Sequence, residues 1–272
     1  MMELPELYIE SGLLQKNDNI IALNTHFKTV KLFENCHVMD VGCGPGNITN
    51  DLLYPAFPKS LEKLIGTDIS EKMINFAKKN YNSNNKLSFS VMNITIEIVP
   101  SEYLSAFHHI VSLYCFQIVF NHRKALSNMF AMLKPGGNIF LNFMGNCVIF
   151  DIYKSLKEDT CWRTYLEHYE TEPPTQSFKN LTSEYEYLLK EIGFETHFCI
   201  ATKKVNKSSK QLFKNFMLAV KFFDIPKSLE DLYINYFMDF LKRKNLFSVD
   251  SLGNEFYYVP YTLLTVYASK PL

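Results

Sequence analysis

The stretch Asp40-Val41-Gly42-Cys43-Gly44-Pro45-Gly46 restricts what this chain can fold into more than any other part of it. Three glycines at alternate positions would weaken a helix or a strand, and they mark a tight turn instead. The turn closes a short apolar run at residues 37–42, which reads as a buried strand. It precedes residues 47–56, which read as a helix stopped before Pro58. A glycine turn from strand into helix lies at the ligand edge of an open α/β sheet, where a bound molecule can rest against bare backbone. The dinucleotide fingerprint spaces its glycines G-x-G-x-x-G and sets a pyrophosphate on the helix N-terminus. This chain reads G-x-G-x-G, with an acidic residue two positions before the first glycine, so the spacing disfavours an NAD-dependent oxidoreductase.

Strand and helix patterns alternate from there. Residues 63–69, 87–94, 109–116 and 138–143 read as strands. Residues 70–80 read as a helix with Met73, Ile74 and Ala77 at helical spacing, and 121–133 as a helix with Ala125, Met129 and Met132 facing inward. A short helical turn at 101–107 follows Pro100, and Lys134-Pro135-Gly136-Gly137 is a turn. Five strands with four crossovers are the pattern of a parallel, doubly wound sheet. Further on, a helix at 183–192 closes on Gly193, a sixth strand spans 194–202, and a seventh, interrupted by Pro260, spans 257–268. Between these strands lie two amphipathic helices, 209–224 and 228–244. The second opens with a capping box at Ser228 and Asp231, ends on Lys242-Arg243-Lys244, and turns Leu232, Tyr233, Tyr236, Phe237 and Phe240 inward. Lys203, Lys204, Lys207 and Lys210 read as a solvated basic turn. Residues 4–33 read as helical.

Twenty-eight Lys+Arg balance twenty-eight Asp+Glu. A neutral chain lacks the basic face that a nucleic-acid partner requires. No run approaches eighteen apolar residues, so no membrane insertion is expected. The acidic start, Met1-Met2-Glu3-Leu4-Pro5-Glu6, lacks the apolar core of a signal peptide. Six scattered cysteines without a C-x-x-C pair read as reduced thiols, and the histidines form no metal-ligand spacing. A cytoplasmic protein without a metal is expected, its oligomeric state unassigned.

Twenty-eight residues after Asp40 the second strand ends in Thr67-Asp68-Ile69-Ser70. A carboxylate there can accept from both hydroxyls of a ribose, which points to a nucleoside ligand. With the glycine loop, Asp68, Asn93 at the third strand end and the Lys134-Pro135-Gly136-Gly137 turn in this order, the sequence resembles a class I S-adenosylmethionine-dependent methyltransferase over residues 37–145. Within that class it is most similar to the insect juvenile hormone acid methyltransferases, through Leu7-Tyr8, Gln15, Ser112-Leu113-Tyr114-Cys115 and Phe150-Asp151-x-Tyr153-Lys154.

The resemblance implies an α/β fold: a doubly wound, seven-stranded Rossmann-like sheet with N-terminal helices and a helical cap before the last strand. Residues 1–35 would form a lid, 36–205 with 257–272 the core that binds S-adenosylmethionine, and 206–256 the cap over the substrate mouth. Gly42, Gly44 and Gly46 would shape the loop under the methionine moiety. Asp40 would orient that loop or the cofactor's amine, or act as a purely structural acceptor. Asp68 would hold the ribose, Ile69 would lie against the adenine, and Asn93, in place of the family's aspartate, would meet its amino group. Ser112 and Leu113 would line the methyl-donor end. Gln15 matches the family glutamine that holds the substrate carboxylate, although it reads equally well as a surface residue on a helix. Tyr114, Gln117 and Ile118 would complete the substrate site. The family's His-Trp pair is here Gln117-Ile118, so its indole donor is missing. Gln117 would replace that donor only if the backbone bends, because successive strand residues point to opposite faces.

A carboxylic acid of pKa about 4 to 5 is ionised at neutral pH and needs no general base. The resemblance implies O-methylation of the carboxyl group of a small apolar acid, of the juvenile hormone acid or farnesoic acid type. Two alternatives stay open. One is another acceptor (an amine, a phenol or another acid), with His108, His109 or His122 as a base. The other is a methyltransferase-like protein that binds without turnover.

Overall fold

In the computed structural model, which describes residues 4–81, 84–221 and 223–272, strands and helices alternate as the glycine turn implies. The strands are β1 (His37–Val41), β2 (Lys63–Asp68), β3 (Leu87–Val91), β4 (Phe107–Leu113), β5 (Leu133–Cys147), β6 (Glu195–Ser209), β7 (Phe247–Val249) and β8 (Glu255–Ser269). The helices are α1 (Pro5–Ser11), α2 (Leu13–Thr25), α3 (residues 47–56, with a π-turn at Thr49–Leu53), α4 (Glu71–Asn80), α5 (His122–Met132), α6 (Val148–Glu158), α7 (Arg163–Leu166), α8 (Leu181–Ile192), α9 (Lys210–Ala219) and α10 (Glu230–Arg243). The first three residues of the expected lid, and residue 222 of the expected helix 209–224, lie outside the described residues.

The sheet runs β3-β2-β1-β4-β5-β8-β6. β1 to β5 are parallel, and β8 enters antiparallel between β5 and β6. Neighbouring residues on a strand face opposite sides, and the core shows it. Met39, Ile110 and Ile139 enter a cluster with α5 and α8, while Val38, Val111 and Phe140 enter a cluster with α2, α3 and α4. Local chemistry sets the helix starts: the Ser70 side chain accepts the Met73 N–H at 3.3 Å, and Asn121 accepts the Lys124 N–H at 3.0 Å. α8 stops at Gly193, whose φ of +110° is left-handed.

Several expectations need correcting. An eighth strand, β7, pairs with β8. β8 is continuous through Pro260, because β5 ends at Cys147 opposite Tyr261 and Pro260 therefore has a strand on one side only. The capping box does not form: a 3-10 turn at Lys227–Leu229 leads into α10, and Asp231 pairs with Lys214 at 2.5 Å. α10 buries Tyr233, Ile234, Phe237, Met238 and Leu241 and leaves Leu232 53% exposed, so its inward face is turned from the expected one. Lys203, Lys204 and Lys207 lie in β6 and not in a turn. Residues 148–166, assigned to the core by sequence, pack as α6 and α7 against α9 and α10 in a third apolar cluster.

Candidate active site

The strand order reverses between β1 and β4, the point where open α/β sheets bind ligands beyond the carboxyl ends of their strands. Two turns frame it. The glycine loop leaves β1, and its Gly42 and Cys43 N–H groups donate to the Thr67 carbonyl at 2.7 and 2.9 Å. The chain leaves β4 through Tyr114, at a left-handed φ of +58°, into a 3-10 turn at Phe116–Ile118. The turns touch, since a Cβ on Gly42 would lie 2.2 Å from Cys115 Sγ. Gly44 faces open space, with Tyr8 Cε1 3.9 Å from where its Cβ would stand.

Three cavities meet around Tyr114. The first lies over the glycine loop and is lined by Tyr8, Gln15, Lys16, Asp40, Gly42, Gly44, Asn47 and Leu113. The second is lined by Tyr8, Asp68, Ile69, Ser70, Met73, Cys115 and Tyr169. The third is apolar, walled by Met144, Ile149, Phe150, Tyr153, Phe213, Phe216 and Val259. Tyr114 lines all three, Gln15 joins the first to the third, and Ile118 joins the second to the third. No charged side chain among the described residues lines the apolar cavity.

Asp68 accepts the Gly44 and Ser70 N–H groups, and burial pushes its carboxyl above the usual range. Asp40 accepts from the Thr49 hydroxyl at 2.6 Å, and burial pushes it up to about 7. In the cavity over the loop, Asn47 carries a buried Oδ1 with no partner among the described residues. Burial raises the Tyr8 phenol, with Asp68 and Cys115 adding to the shift.

Four expected site residues behave differently. Asn93 is exposed, its Oδ1 accepts from the Thr95 N–H and hydroxyl, and it lines none of the three cavities. Ser112 spends its hydroxyl on the Val41 carbonyl at 2.8 Å and ties β4 to β1. Gly46 packs away from the cavities, where a Cβ would meet Ala77 and Phe89 at 2.9 Å. The backbone bend after Leu113 does bring Gln117 to the apolar cavity beside Ile118. Its amide is held in place there: one N–H of Nε2 donates to the Tyr114 carbonyl at 2.7 Å, and Oε1 is buried without a partner among the described residues.

The histidines offered as bases do not reach this point. His108 and His109 sit at the start of β4, the opposite edge of the sheet, where they accept from the His37 and Phe33 N–H groups. His122 is buried against Phe116, Phe143 and Tyr185, and burial lowers it to about 4.

Residues 38–137 match the methyltransferase domain family. Over 99% of its length the chain is 29% identical to the juvenile hormone acid O-methyltransferase of Drosophila melanogaster, with 93% of that protein covered. It is 27% identical to the Bombyx mori protein of the same name, with 98% of it covered. This chain is a class I S-adenosylmethionine-dependent methyltransferase. In fold, the methyltransferase is similar to the YcgJ protein of Bacillus subtilis (TM-score 0.58, 15% identity, 92% of this chain and 98% of that one). It is also similar to phosphoethanolamine N-methyltransferase 2 of Haemonchus contortus, solved with S-adenosylhomocysteine (TM-score 0.54, 18% identity, 94% of this chain and 53% of that one). The cofactor of the methyltransferase is S-adenosylmethionine. No described helix is long and apolar enough to cross a membrane.

Sequence reasoning missed Asn47, Cys115 and Tyr169 in the cavity walls and gave Tyr8 no role. It also missed Asp18 and Asn19, which follow Gln15 by three and four residues and share its helix face. That spacing was the available signal.

Proposed function

We propose that this methyltransferase converts a small apolar acid of the juvenile hormone acid or farnesoic acid type into its methyl ester. One observation carries the reading: among the described residues, the apolar cavity that opens onto the glycine loop at Gln15 and Tyr114 is itself lined by no histidine and no carboxylate that could take a proton from an acceptor. An amine or phenol needs such a base, while a carboxylate arrives ionised. The near full-length similarity to two proteins named for an acid substrate supports the same class.

The residues over the loop fit S-adenosylmethionine. Asn47 Oδ1 supplies a waiting acceptor for the ammonium, next to Asp40, and Lys16 a cation for the carboxylate. Asp68 has lone pairs left for the ribose hydroxyls, and Ile69, Met73 and Tyr8 offer faces for the adenosine. Bound there, the cofactor supplies a methyl group on a sulfonium. Gln15 and Tyr114, which line both the cavity over the loop and the apolar cavity, would hold an acid's oxygen in line with that methyl. Exchange of the C–S bond for an O–C bond would leave a neutral ester and a neutral thioether, so no residue need take a proton. Positioning therefore supplies much of the acceleration. Gln15, buried and with no side-chain hydrogen bond among the described residues, is the donor for the acid's head group.

Transfer of labelled methyl from the cofactor to a panel of apolar acids, with the matching amine and phenol, tests this. Turnover of an acid alone supports the reading, and turnover of the amine or phenol alone overturns it.

A further inference from the structure

Helix α2 buries a stripe that starts polar. Gln15, Asp18, Asn19, Ala22 and Leu23 face the protein at positions i, i+3, i+4, i+7 and i+8. A carboxylate in such a place persists only with several partners, and Asp18 has three. Its Oδ2 accepts from the hydroxyls of Tyr114 and, at 2.7 Å, Tyr261, and its Oδ1 pairs with the Lys204 ammonium. These partners come from the turn after β4, from β8 and from β6. Beside it, Asn19 Oδ1 accepts from Asn142 Nδ2 at 3.0 Å, and Asn142 Oδ1 accepts from the Thr265 hydroxyl at 3.0 Å. Burial keeps the Tyr114 and Tyr261 phenols protonated, so both stay donors.

The carboxylate thus joins two parts of the site. Gln15 stands three residues before Asp18 on the same helix face, and Tyr114 is the wall common to all three cavities. Tyr114 holds a left-handed conformation that a tyrosine adopts only when its surroundings impose it. We infer that Asp18 is a positioning residue for methyl transfer: its carboxylate sets Gln15 and Tyr114 against each other where the apolar cavity meets the cofactor cleft. The inference rests on the reading of Gln15 as the contact for the acid.

Asp18→Asn keeps the shape and one acceptor but gives up the charge opposite Lys204. The variant is expected to lower kcat for the acid about tenfold or more, with the cofactor Kd, by calorimetry, changed less than about threefold. Tyr261→Phe, which lies outside the three cavities, is expected to lower kcat about threefold and covers the case in which Asp18→Asn does not fold. Asp18→Asn combined with Gln15→Ala is expected to be no worse than Gln15→Ala alone, because both act through one contact. Additive losses, or no loss in the single variants, overturn the inference. If the unchanged protein methylates no acid, the carboxyl reading falls separately. The positioning is then read by hydrogen exchange of α2 with cofactor bound: exchange about tenfold faster in Asp18→Asn at an unchanged melting temperature supports it, and equal exchange overturns it.

Discussion

Gly44 donates its N–H to Asp68 Oδ2 at 2.9 Å, so one carboxylate holds the loop after β1 to the end of β2. Ser70 occupies the other oxygen at 2.8 Å. Asp68→Ala removes the ribose acceptors and slackens the loop together. Charge-assisted hydrogen bonds of about 1.5–3 kcal/mol each imply a cofactor Kd raised at least about tenfold. Titration of the folded variant checks this, and an unchanged Kd would take Asp68 out of the site.

Asp40 predicts a pH dependence. Its folded pKa of about 7 lies above the ordinary carboxyl range, so the fold prefers the neutral form. That contribution is complete below about pH 4 and is lost as pH rises through about 7. Without cofactor, the protein should therefore lose stability relative to Asp40→Asn between about pH 5 and 8, read from denaturation midpoints. A parallel pH response of the two proteins would contradict the assignment.

The cofactor brings an ammonium and a sulfonium, which favour the ionised Asp40. Cofactor affinity should rise with pH through about 7, while kcat at saturating cofactor stays flat from about pH 6 to 8. A rising kcat limb near pH 7 would reveal an acceptor that must first lose a proton.

Ile118 stands where the apolar cavity meets the adenosine side, and the neighbouring Gln117 already spends one N–H on the Tyr114 carbonyl. Ile118→Trp adds an N–H donor, worth about 1.5–3 kcal/mol against a charged head group in a dry pocket. Turnover of farnesoic or juvenile hormone acid should rise about tenfold or more. No gain in a variant that still binds the cofactor would mean that the cavity serves a different acid.

With no charged side chain lining the apolar cavity among the described residues, the proposed acid would take its counter-charge from the sulfonium. A cofactor analogue with an ammonium in place of the sulfonium should tighten acid binding about tenfold or more relative to S-adenosylhomocysteine. Equal affinities in calorimetry would show that the protein itself neutralises the acid.

The sheet was legible because its strands are apolar runs punctuated by glycine and proline, and α4 and α5 bury the residues their spacing names. The covering layer was less so. In α10, Tyr and Phe suit either a wall or a surface, and tertiary packing chose Ile234 and Met238 over Leu232. The stripe of α2 escaped a search for apolar periodicity because three of its five residues are Gln, Asp and Asn. Asn93 and Ser112 carry the right atoms at the right strand ends, but a local turn and a strand-to-strand tie had already claimed those atoms. Short-range competition of that kind leaves no mark on spacing.

The placement of β8 governs the order in which the molecule can be completed during synthesis. Among the described residues β6 pairs only with β8, and β5 is an open edge until β8 arrives. β6 must wait unpaired, and β5 paired with β4 on one side only, until β8 leaves the ribosome. The crevice between β1 and β4 needs no such wait, because its turns end by Ile118, whereas the apolar cavity takes Val259 from β8 itself. A nascent chain can therefore shape its nucleoside cleft well before it has anywhere to put an acid, and nucleoside bound early would steady the half-built sheet while its two edges stand exposed.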